Sequence, residues 1–322
     1  MRTSPPRGYV VMSVLLVIGL VCWRSWASSL AEAEPEKRPP DFMDVHYGPH
    51  ERHVLDIWKA IPRAGKDGLT PLVIFFHGGG FLGGDKSSVP GWLVRDCLEA
   101  GISVASANYR LSNSAPFPAP MLDGARTIQF LRSKAKDFGL DPSRFAASGS
   151  SAGAGIALWV GFHDDLADPA SGDPIARQSS RVRCLGVDGA QTSYDPRFIK
   201  ALIGGRTAEH SALRPFFGIK SDSDLTEPRT IKLFEDASPL NHASTDDPPV
   251  VLFYKEPNEP LPPNAKPGSG IHHPRFGTAL KGKLDKLGVE CILHHQDEYP
   301  SEADPDEAEY RDMVDFFVGR LR

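Results

Sequence analysis

The stretch "FAASGSSAGAG", residues 145–155, places Ser151 in the pattern G-x-S-x-G. The residues before the serine predict a strand and those after it a helix, so Ser151 lies in the turn between the two elements. Glycines two positions before and two positions after the serine relieve crowding in such a sharp turn. At the start of a helix, free N–H groups and the helix dipole favour developing negative charge. The pattern therefore indicates a nucleophilic serine.

A second glycine-rich segment, "FFHGGGF" at residues 75–81, follows a predicted buried strand. Three successive glycines let the backbone approach a ligand closely and direct N–H groups at it. Such a segment alone could be a simple tight turn. Its occurrence before a G-x-S-x-G turn, in this order, indicates a site that holds a negatively charged oxygen.

These motifs require elements that position them, and the chain shows alternating strand and helix patterns. The predicted strands are His53–Ala60, Pro71–Phe76, Ile102–Ala107, Arg144–Ala147, Val182–Val187, Val250–Tyr254 and Val289–His295. The predicted helices are Trp92–Ala100, Pro120–Phe138, Ala152–His163, Pro274–Leu287 and Ala308–Leu321. This alternation predicts an α/β fold with a mostly parallel central sheet and helices on both faces. Residues 194–247, between two strands, are expected to form a small helical insertion.

The sequence resembles the α/β-hydrolases, and among them carboxylesterases of the BD-FAE-like and hormone-sensitive-lipase-like groups. The matching segments are "HGGGF" (77–81), "ANYRLS" (107–112), the run 116–153 that ends in "SGSSAG", and "ASPLNHASTDDPPVVLF" (237–253). The likeness covers roughly residues 45–320. It implies the α/β-hydrolase fold and hydrolysis of carboxylic esters through an acyl-enzyme.

The resemblance also implies roles for individual residues. Ser151 would be the nucleophile, and the N–H groups of Gly79, Gly80 and Ala152 would form the oxyanion hole. His77 would hold the oxyanion loop by hydrogen bonds and is not assigned as the base.

The acid and the base depart from the pattern of the family. The family acid follows the strand after the insertion, where this chain reads "PPVVLFYKEPNEPL" (248–261), and counting places the acid's position at Asn258, with Glu256 and Glu259 nearby. The family histidine precedes the last helix, but the loop "QDEYPSEADPDEAEY" (296–310) contains none and its expected position falls near Ser301.

Two rearrangements could supply the missing base. The long loop from Lys255 to Gly270 begins at the same sheet edge as Ser151, and it closes with "IHH", so His272 or His273 could reach the serine. His295 ends its own strand at that edge. The alternative for each histidine is a purely structural role. The corresponding acid is Glu259 or Asp297.

The N-terminus has the pattern of an export signal. Arg2 and Arg7 flank the start of an uncharged apolar run, 8–23, and small residues near 25–31 suit a signal peptidase. We therefore expect a signal peptide over 1–31, a linker over 32–44 and the hydrolase domain over 45–322, with a periplasmic or extracellular location. An uncleaved membrane anchor at 8–23 is the alternative.

The composition and charge of the chain limit the kinds of partner, cofactor and metal that we expect. In 322 residues the net charge is −5, which gives no reason to expect nucleic acid as a partner. Cys97, Cys184 and Cys291 have neither metal-site nor disulfide spacing and are expected to be free buried thiols. No dinucleotide or phosphate fingerprint and no calcium loop is present, so we expect neither a cofactor nor a metal.

Three functions compete on these observations. The first is an exported carboxylesterase acting on small-molecule or polysaccharide-linked esters through an acyl-Ser151 intermediate. The second is a catalytically impaired member of the fold that binds a ligand in the same pocket, since without a base a serine is a poor nucleophile. The third is a different serine-dependent reaction, such as peptide or acyl transfer.

Overall fold

The computed structural model describes residue 1 and residues 37–62, 68–299 and 305–322, and in these it contains one eight-stranded sheet. The strands are Phe42–His46 (β1), Val54–Trp58 (β2), Thr70–Phe76 (β3), Ser103–Ala107 (β4), Leu140–Ser150 (β5), Leu185–Asp188 (β6), Val250–Tyr254 (β7) and Cys291–His295 (β8). Their spatial order is β1-β2-β4-β3-β5-β6-β7-β8.

The sheet is mostly parallel. β2 pairs antiparallel with both β1 and β4, and all pairs from β4 through β3 to β8 are parallel. The apolar runs that predicted buried strands account for this arrangement, because parallel strands are covered on both faces. The predicted fold class is confirmed. β1 was not predicted, since its five residues are largely exposed at the sheet edge and carry no apolar run.

Helices cover both faces. Their bounds are Gly91–Glu99 (α1), Ala119–Ser133 (α2), Ala135–Phe138 (α3), Ala152–Phe162 (α4), Pro196–Leu202 (α5), Leu213–Phe216 (α6), Pro228–Ala237 (α7), Pro239–His242 (α8), Arg275–Leu287 (α9) and Pro305–Leu321 (α10). α5 to α8 lie between β6 and β7, which confirms the helical insertion.

The core lies in two layers, one on each face of the sheet. Alternate residues of β3 point to opposite faces, so Ile74 packs in one layer and Val73 in the other. The layer around Ile74 includes residues of α2, α4 and α9, and the layer around Val73 includes residues of α1 and α10. These helices fix the carboxyl ends of the parallel strands at one edge.

The boundary of the folded domain differs from the predicted one. The linker was expected to reach residue 44, but β1 begins at Phe42 and the backbone carbonyl of Arg38 already accepts a hydrogen bond from Trp58 Nε1 at 2.7 Å. The described residues from 37 onward belong to one compact unit. The predicted signal sequence and Ser301 lie outside the described residues.

Candidate active site

Ser151 lies between the end of β5 and the start of α4, as the glycine pattern predicts. Its backbone has φ 50° and ψ −117°, a left-handed conformation that residues with a side chain rarely adopt. The N–H of Ser151 donates to the carbonyl of Asp188 at the end of β6 (2.9 Å), and its carbonyl accepts from the N–H of Gly155 (3.0 Å). The turn is thereby held from both sides with Ser151 facing a cavity.

The two glycines of the motif are required by close backbone approach. A Cβ on Gly153 would lie 1.9 Å from the carbonyl oxygen of Phe76, and a Cβ on Gly149 would lie 2.5 Å from the carbonyl of Gly153. Any side chain at either position would therefore push α4 away from β3 and β5. The motif packs the first turn of the helix directly on the sheet.

The glycine-rich segment after β3 lies beside Ser151. Gly79 and Gly80 have φ of 114° and 61° and line the same cavity as the serine. A Cβ on Gly78 would lie 3.4 Å from Cβ of Ser151. Among the described residues the N–H groups of Gly79 and Gly80 donate no backbone hydrogen bond, and Ala152 is the first residue of α4, where an N–H group has no acceptor within the helix. Such unpaired donors next to a nucleophile are what an oxyanion hole requires.

His77 supports this segment and does not contact Ser151. Its Nε2 lies 3.1 Å from a guanidinium nitrogen of Arg52 and therefore accepts, while Nδ1 donates to the carbonyl of Gly78 at 2.7 Å. The ring stacks on Tyr109, whose hydroxyl donates to the carbonyl of His77. Burial lowers the pKa of His77 to about 4, so the ring is neutral at pH 7. These contacts agree with a role in holding the loop.

Among the three candidate histidines, His272 reaches the serine. Its Nε2 lies 2.8 Å from Oγ of Ser151, a hydrogen-bond distance. The residue ends the long loop after β7, and the N–H of His273 donates to the carbonyl of Gly270 to close the turn that presents it. A histidine in this position can remove the proton from Ser151.

The carboxylate next to His272 belongs to Glu256. Its Oε1 accepts the backbone N–H of His272 at 3.2 Å and lies 3.6 Å from Nδ1, within ion-pair reach and longer than a hydrogen bond. A closure of about half an ångström would bring Nδ1 within hydrogen-bond distance of Oε1. Ser151, His272 and Glu256 thus lie in sequence, with a hydrogen-bond distance between the serine and the ring and a longer ion-pair contact between the ring and the carboxylate.

The carboxylate beside His272 is therefore neither of the two acids expected from the sequence, Glu259 and Asp297. Glu259 and Asn258 are exposed, three and two residues beyond Glu256, because the chain leaves the sheet edge directly after β7. Asp297 contacts Nδ1 of His295 and not His272. Counting along a turn could not distinguish Glu256 from Glu259, since the path of the loop decides which carboxylate returns to the site.

The other two histidines hold the backbone. His273 is buried, and its Nε2 donates to the carbonyl of Glu259 (2.9 Å) while Nδ1 accepts the N–H of Arg275 (3.2 Å). His295 donates from Nε2 to the carbonyl of Glu256 (2.9 Å). Both rings are thus engaged with backbone groups, so their expected roles as a base are replaced by structural ones.

Gln191 is a further residue of the site, and no sequence pattern indicated it. It is buried after β6, and its amide donates to the carbonyls of Gly189 (3.0 Å) and Ile271 (2.9 Å). Gly189 lies against the ring of His272, since a Cβ there would be 3.2 Å from Cδ2. Gln191 therefore ties the end of β6 to the loop that carries His272.

The electrostatic surroundings of His272 keep it neutral near pH 7. Burial lowers its pKa, the carboxylate of Glu256 raises it, and His210 lowers it further, with a net decrease from the usual 6.5. A general base needs an unprotonated ring, so this shift keeps the ring competent.

The cavity in front of Ser151 has a volume of about 510 Å³. Its walls are mainly apolar and include Phe81, Ile199, Leu213 and Phe216. The helical insertion supplies the last three of these. The insertion therefore shapes the space that a ligand of Ser151 would occupy.

Other classes of site find no support in the described part of the chain. In residues 37–62, 68–299 and 305–322, no group of three or more His, Cys, Asp or Glu side chains is arranged to hold a metal ion. Within the same ranges no helix has both the length and the apolar character needed to cross a bilayer. Cys97, Cys184 and Cys291 are buried free thiols, as predicted.

Comparison with known proteins agrees with this geometry. The sequence profile of the BD-FAE family matches residues 55–265. The chain is 34% identical over 112 residues to an AB hydrolase superfamily protein of Schizosaccharomyces pombe, covering 35% of this chain and 33% of that protein. It is 27% identical over 226 residues to the esterase LipQ of Mycobacterium tuberculosis, covering 69% of this chain and 50% of LipQ. The matches thus span half or less of these relatives.

Solved structures share the fold. An acetyl ester-xyloside bifunctional hydrolase from Caldicellulosiruptor lactoaceticus is similar with a TM-score of 0.66 and 21% identity, covering 88% of this chain and 98% of that one. A truncated carbohydrate esterase from gut microbiota gives a TM-score of 0.65 and 19% identity, with coverages of 89% and 99%. At these identities the likeness establishes the fold.

Proposed function

The chain belongs to the BD-FAE family of the α/β-hydrolases, and from this premise we propose that it is a serine carboxylesterase. The observation that carries the proposal is the distance of 2.8 Å between Nε2 of His272 and Oγ of Ser151. Glu256 on the far side of the ring and unpaired N–H groups beside the serine complete the requirements for acyl transfer.

In the first half of the reaction Ser151 attacks the ester carbonyl. Oγ forms a bond to the carbonyl carbon while its proton passes to Nε2 of His272. The N–H groups of Gly79, Gly80 and Ala152 hold the oxyanion, each contributing about 3 kcal/mol to the lowering of the barrier in a site shielded from water. His272 then returns the proton to the departing alcohol, which leaves an acyl-Ser151.

In the second half a water molecule attacks the acyl group. His272 takes the proton of the water, and the carboxylic acid leaves as Oγ of Ser151 recovers its proton from the ring. In both halves Glu256 stabilises the imidazolium and keeps Nδ1 protonated, so that Nε2 faces the serine.

The cavity limits the substrates. A volume of about 510 Å³ with apolar walls suits esters of short or medium acyl chains with small alcohols. The alternative of a binding protein without turnover relied on the lack of a histidine after β8. Since His272 takes the position that a base needs, that argument no longer favours the alternative.

A labelling experiment tests the proposal. A fluorophosphonate should label the wild-type protein on Ser151, and p-nitrophenyl acetate should be hydrolysed with steady turnover. Ser151→Ala should lose both, while Ser211→Ala, a serine of the same cavity, should retain the labelling. Absence of labelling in a folded wild-type protein would overturn the assignment.

Export is also part of the proposal, supported by the charged and apolar N-terminal segments, 1–7 and 8–23. The mass of the protein purified from a secreting host tests it. A mature N-terminus between residues 27 and 32 is expected for a cleaved signal, whereas retention of residue 1 with membrane fractionation would indicate an anchor.

A further inference from the structure

His210, in the helical insertion, places a hydrogen-bond donor at the candidate active site. The N–H of His210 donates to the carbonyl of Thr207 (3.1 Å), and its own carbonyl accepts from Leu213 (3.1 Å). The imidazole Nδ1 accepts the N–H of Ala212 at 3.2 Å. Because Nδ1 is the acceptor, the proton of the neutral ring is on Nε2.

The neighbours of the ring fix the direction of Nε2. Cε1 lies 3.8 Å from where a Cβ of Gly80 would be, and Cδ2 lies 2.6 Å from where a Cβ of Gly268 would be. Nε2 lies between these two carbons, so it points into the gap between the oxyanion loop and the loop that ends in His272. His210 lines the cavity of Ser151, and Nε2 has no hydrogen-bond partner among the described residues.

We propose that Nε2–H of His210 binds an oxygen acceptor on the alcohol part of the ester. The substrates favoured are then esters of alcohols that carry an ether or hydroxyl oxygen. This inference rests on the proposed esterase function and adds a specificity residue to it.

We assign the oxygen bound by His210 to the alcohol part of the ester because the reaction requires a proton transfer to the departing alcohol. His272 gives its proton to the leaving alcohol, so the alcohol must lie near His272. The ring of His210 is held against Gly268 in the loop that carries His272. His210 therefore faces the side of the site where the alcohol leaves.

The type of acceptor follows from the charge of the ring. Burial lowers the pKa of His210, so the ring is a neutral donor at pH 7. A neutral donor among apolar walls suits an uncharged oxygen better than a carboxylate, whose desolvation it could not offset.

An isosteric substrate pair tests the proposal. 2-Methoxyethyl butyrate and butyl butyrate differ only in an ether oxygen in place of a methylene group. His210→Phe should lower the ratio of kcat/KM for the methoxyethyl ester to that for the butyl ester about fivefold, the effect of one lost hydrogen bond. His210→Gln, which keeps an N–H donor, should restore part of the ratio, and the control His242→Phe should leave it unchanged. An equal loss for both esters, or an unchanged ratio, would overturn the proposal.

A binding measurement separates this inference from the proposed function. The affinities of Ser151→Ala for both intact esters are measured by ligand-observed NMR, with and without His210→Phe. If wild-type protein hydrolyses neither ester, the esterase proposal fails. The inference is then decided by binding alone, that is, by whether His210→Phe removes a preference of Ser151→Ala for the methoxyethyl ester over the butyl ester. If both esters are hydrolysed and neither assay depends on His210, the inference fails and the esterase proposal stands.

Discussion

The imidazole of His295 donates a hydrogen bond from Nε2 to the backbone carbonyl of Glu256 at 2.9 Å. The histidine at the end of the last strand therefore holds the acid of the candidate triad, and the candidate base, His272, comes from the loop after β7. We expect His295→Phe to lower kcat about tenfold with little change in KM, because it loosens Glu256 without removing a reacting group. His272→Asn should lower kcat by about a thousandfold or more.

Steady-state kinetics on p-nitrophenyl butyrate provide the measurement for this comparison. His46→Phe, at an exposed position on β1, is the matched control and should be close to wild type. An equally severe loss in His295→Phe and His272→Asn would contradict the division of roles between the two histidines.

The pH dependence of kcat/KM tests whether the charge of Glu256 raises the pKa of His272. The pKa of His272 is lowered by burial and partly restored by the carboxylate of Glu256. In the wild type, activity should fall on the acid side with a midpoint below pH 6.5. Glu256→Gln removes the restoring charge, so the midpoint should move to lower pH while activity falls about a hundredfold. Glu259→Gln serves as the control, and an unmoved acid limb in Glu256→Gln would exclude the charge interaction.

Gln191→Met tests the hydrogen bonds by which Gln191 connects the end of β6 to the loop of His272. Methionine has a similar size but cannot donate to the carbonyls of Gly189 and Ile271, so the ring of His272 loses part of its support. We expect kcat to fall about tenfold, since small misplacements of a catalytic group are costly. Thermal unfolding should be recorded in parallel with Gln178→Met as control. A loss of stability with unchanged kcat would indicate a purely structural residue.

The motif glycines can be tested through stability. Gly153→Ala places a Cβ 1.9 Å from the carbonyl oxygen of Phe76, so it should lower the free energy of unfolding by about 3 kcal/mol. Gly282→Ala, in α9 with open space around the added Cβ, should raise it by up to about 1 kcal/mol. Urea unfolding of both variants measures the difference, and similar values would argue against close packing of α4 on β3.

The parts of the fold and of the site that could be predicted are those that depend on residues close together in the sequence. The turn of Ser151 needs glycines two positions away, and the parallel strands need apolar runs, so both were predicted close to their positions in the structure. His272 could only be offered as one of three histidines, because it lies 121 residues from Ser151 in the chain. Its approach depends on the path of a long loop, which no local pattern specifies. For the same reason Glu256 could only be noted beside the counted position of the acid, and His210 was not predicted.

A partly buried charge cluster behind the site makes stability depend on pH. Lys255, next to Glu256 in the chain, lies 3.2 Å from Glu309, 2.9 Å from Asp306 and 3.7 Å from Asp188. The pKa of Glu309 is raised from 4.5 to about 8, mainly by burial and secondly by repulsion from Asp188. Its Oε1 has no hydrogen-bond partner among the described residues, and the attraction of Lys255 for the carboxylate offsets only part of the cost of ionising it.

We therefore expect the free energy of unfolding to fall as the pH rises from 4.5 to about 8. In this range folded Glu309 binds a proton that the unfolded chain has released, which contributes a slope of about −1.4 kcal/mol per pH unit at most. Glu309→Gln is neutral at every pH and should flatten the profile by that amount, whereas Glu290→Gln, on the surface, should not. Urea unfolding at half-unit pH intervals measures the slopes. An identical slope in wild type and Glu309→Gln would show that Glu309 is already ionised in the folded state.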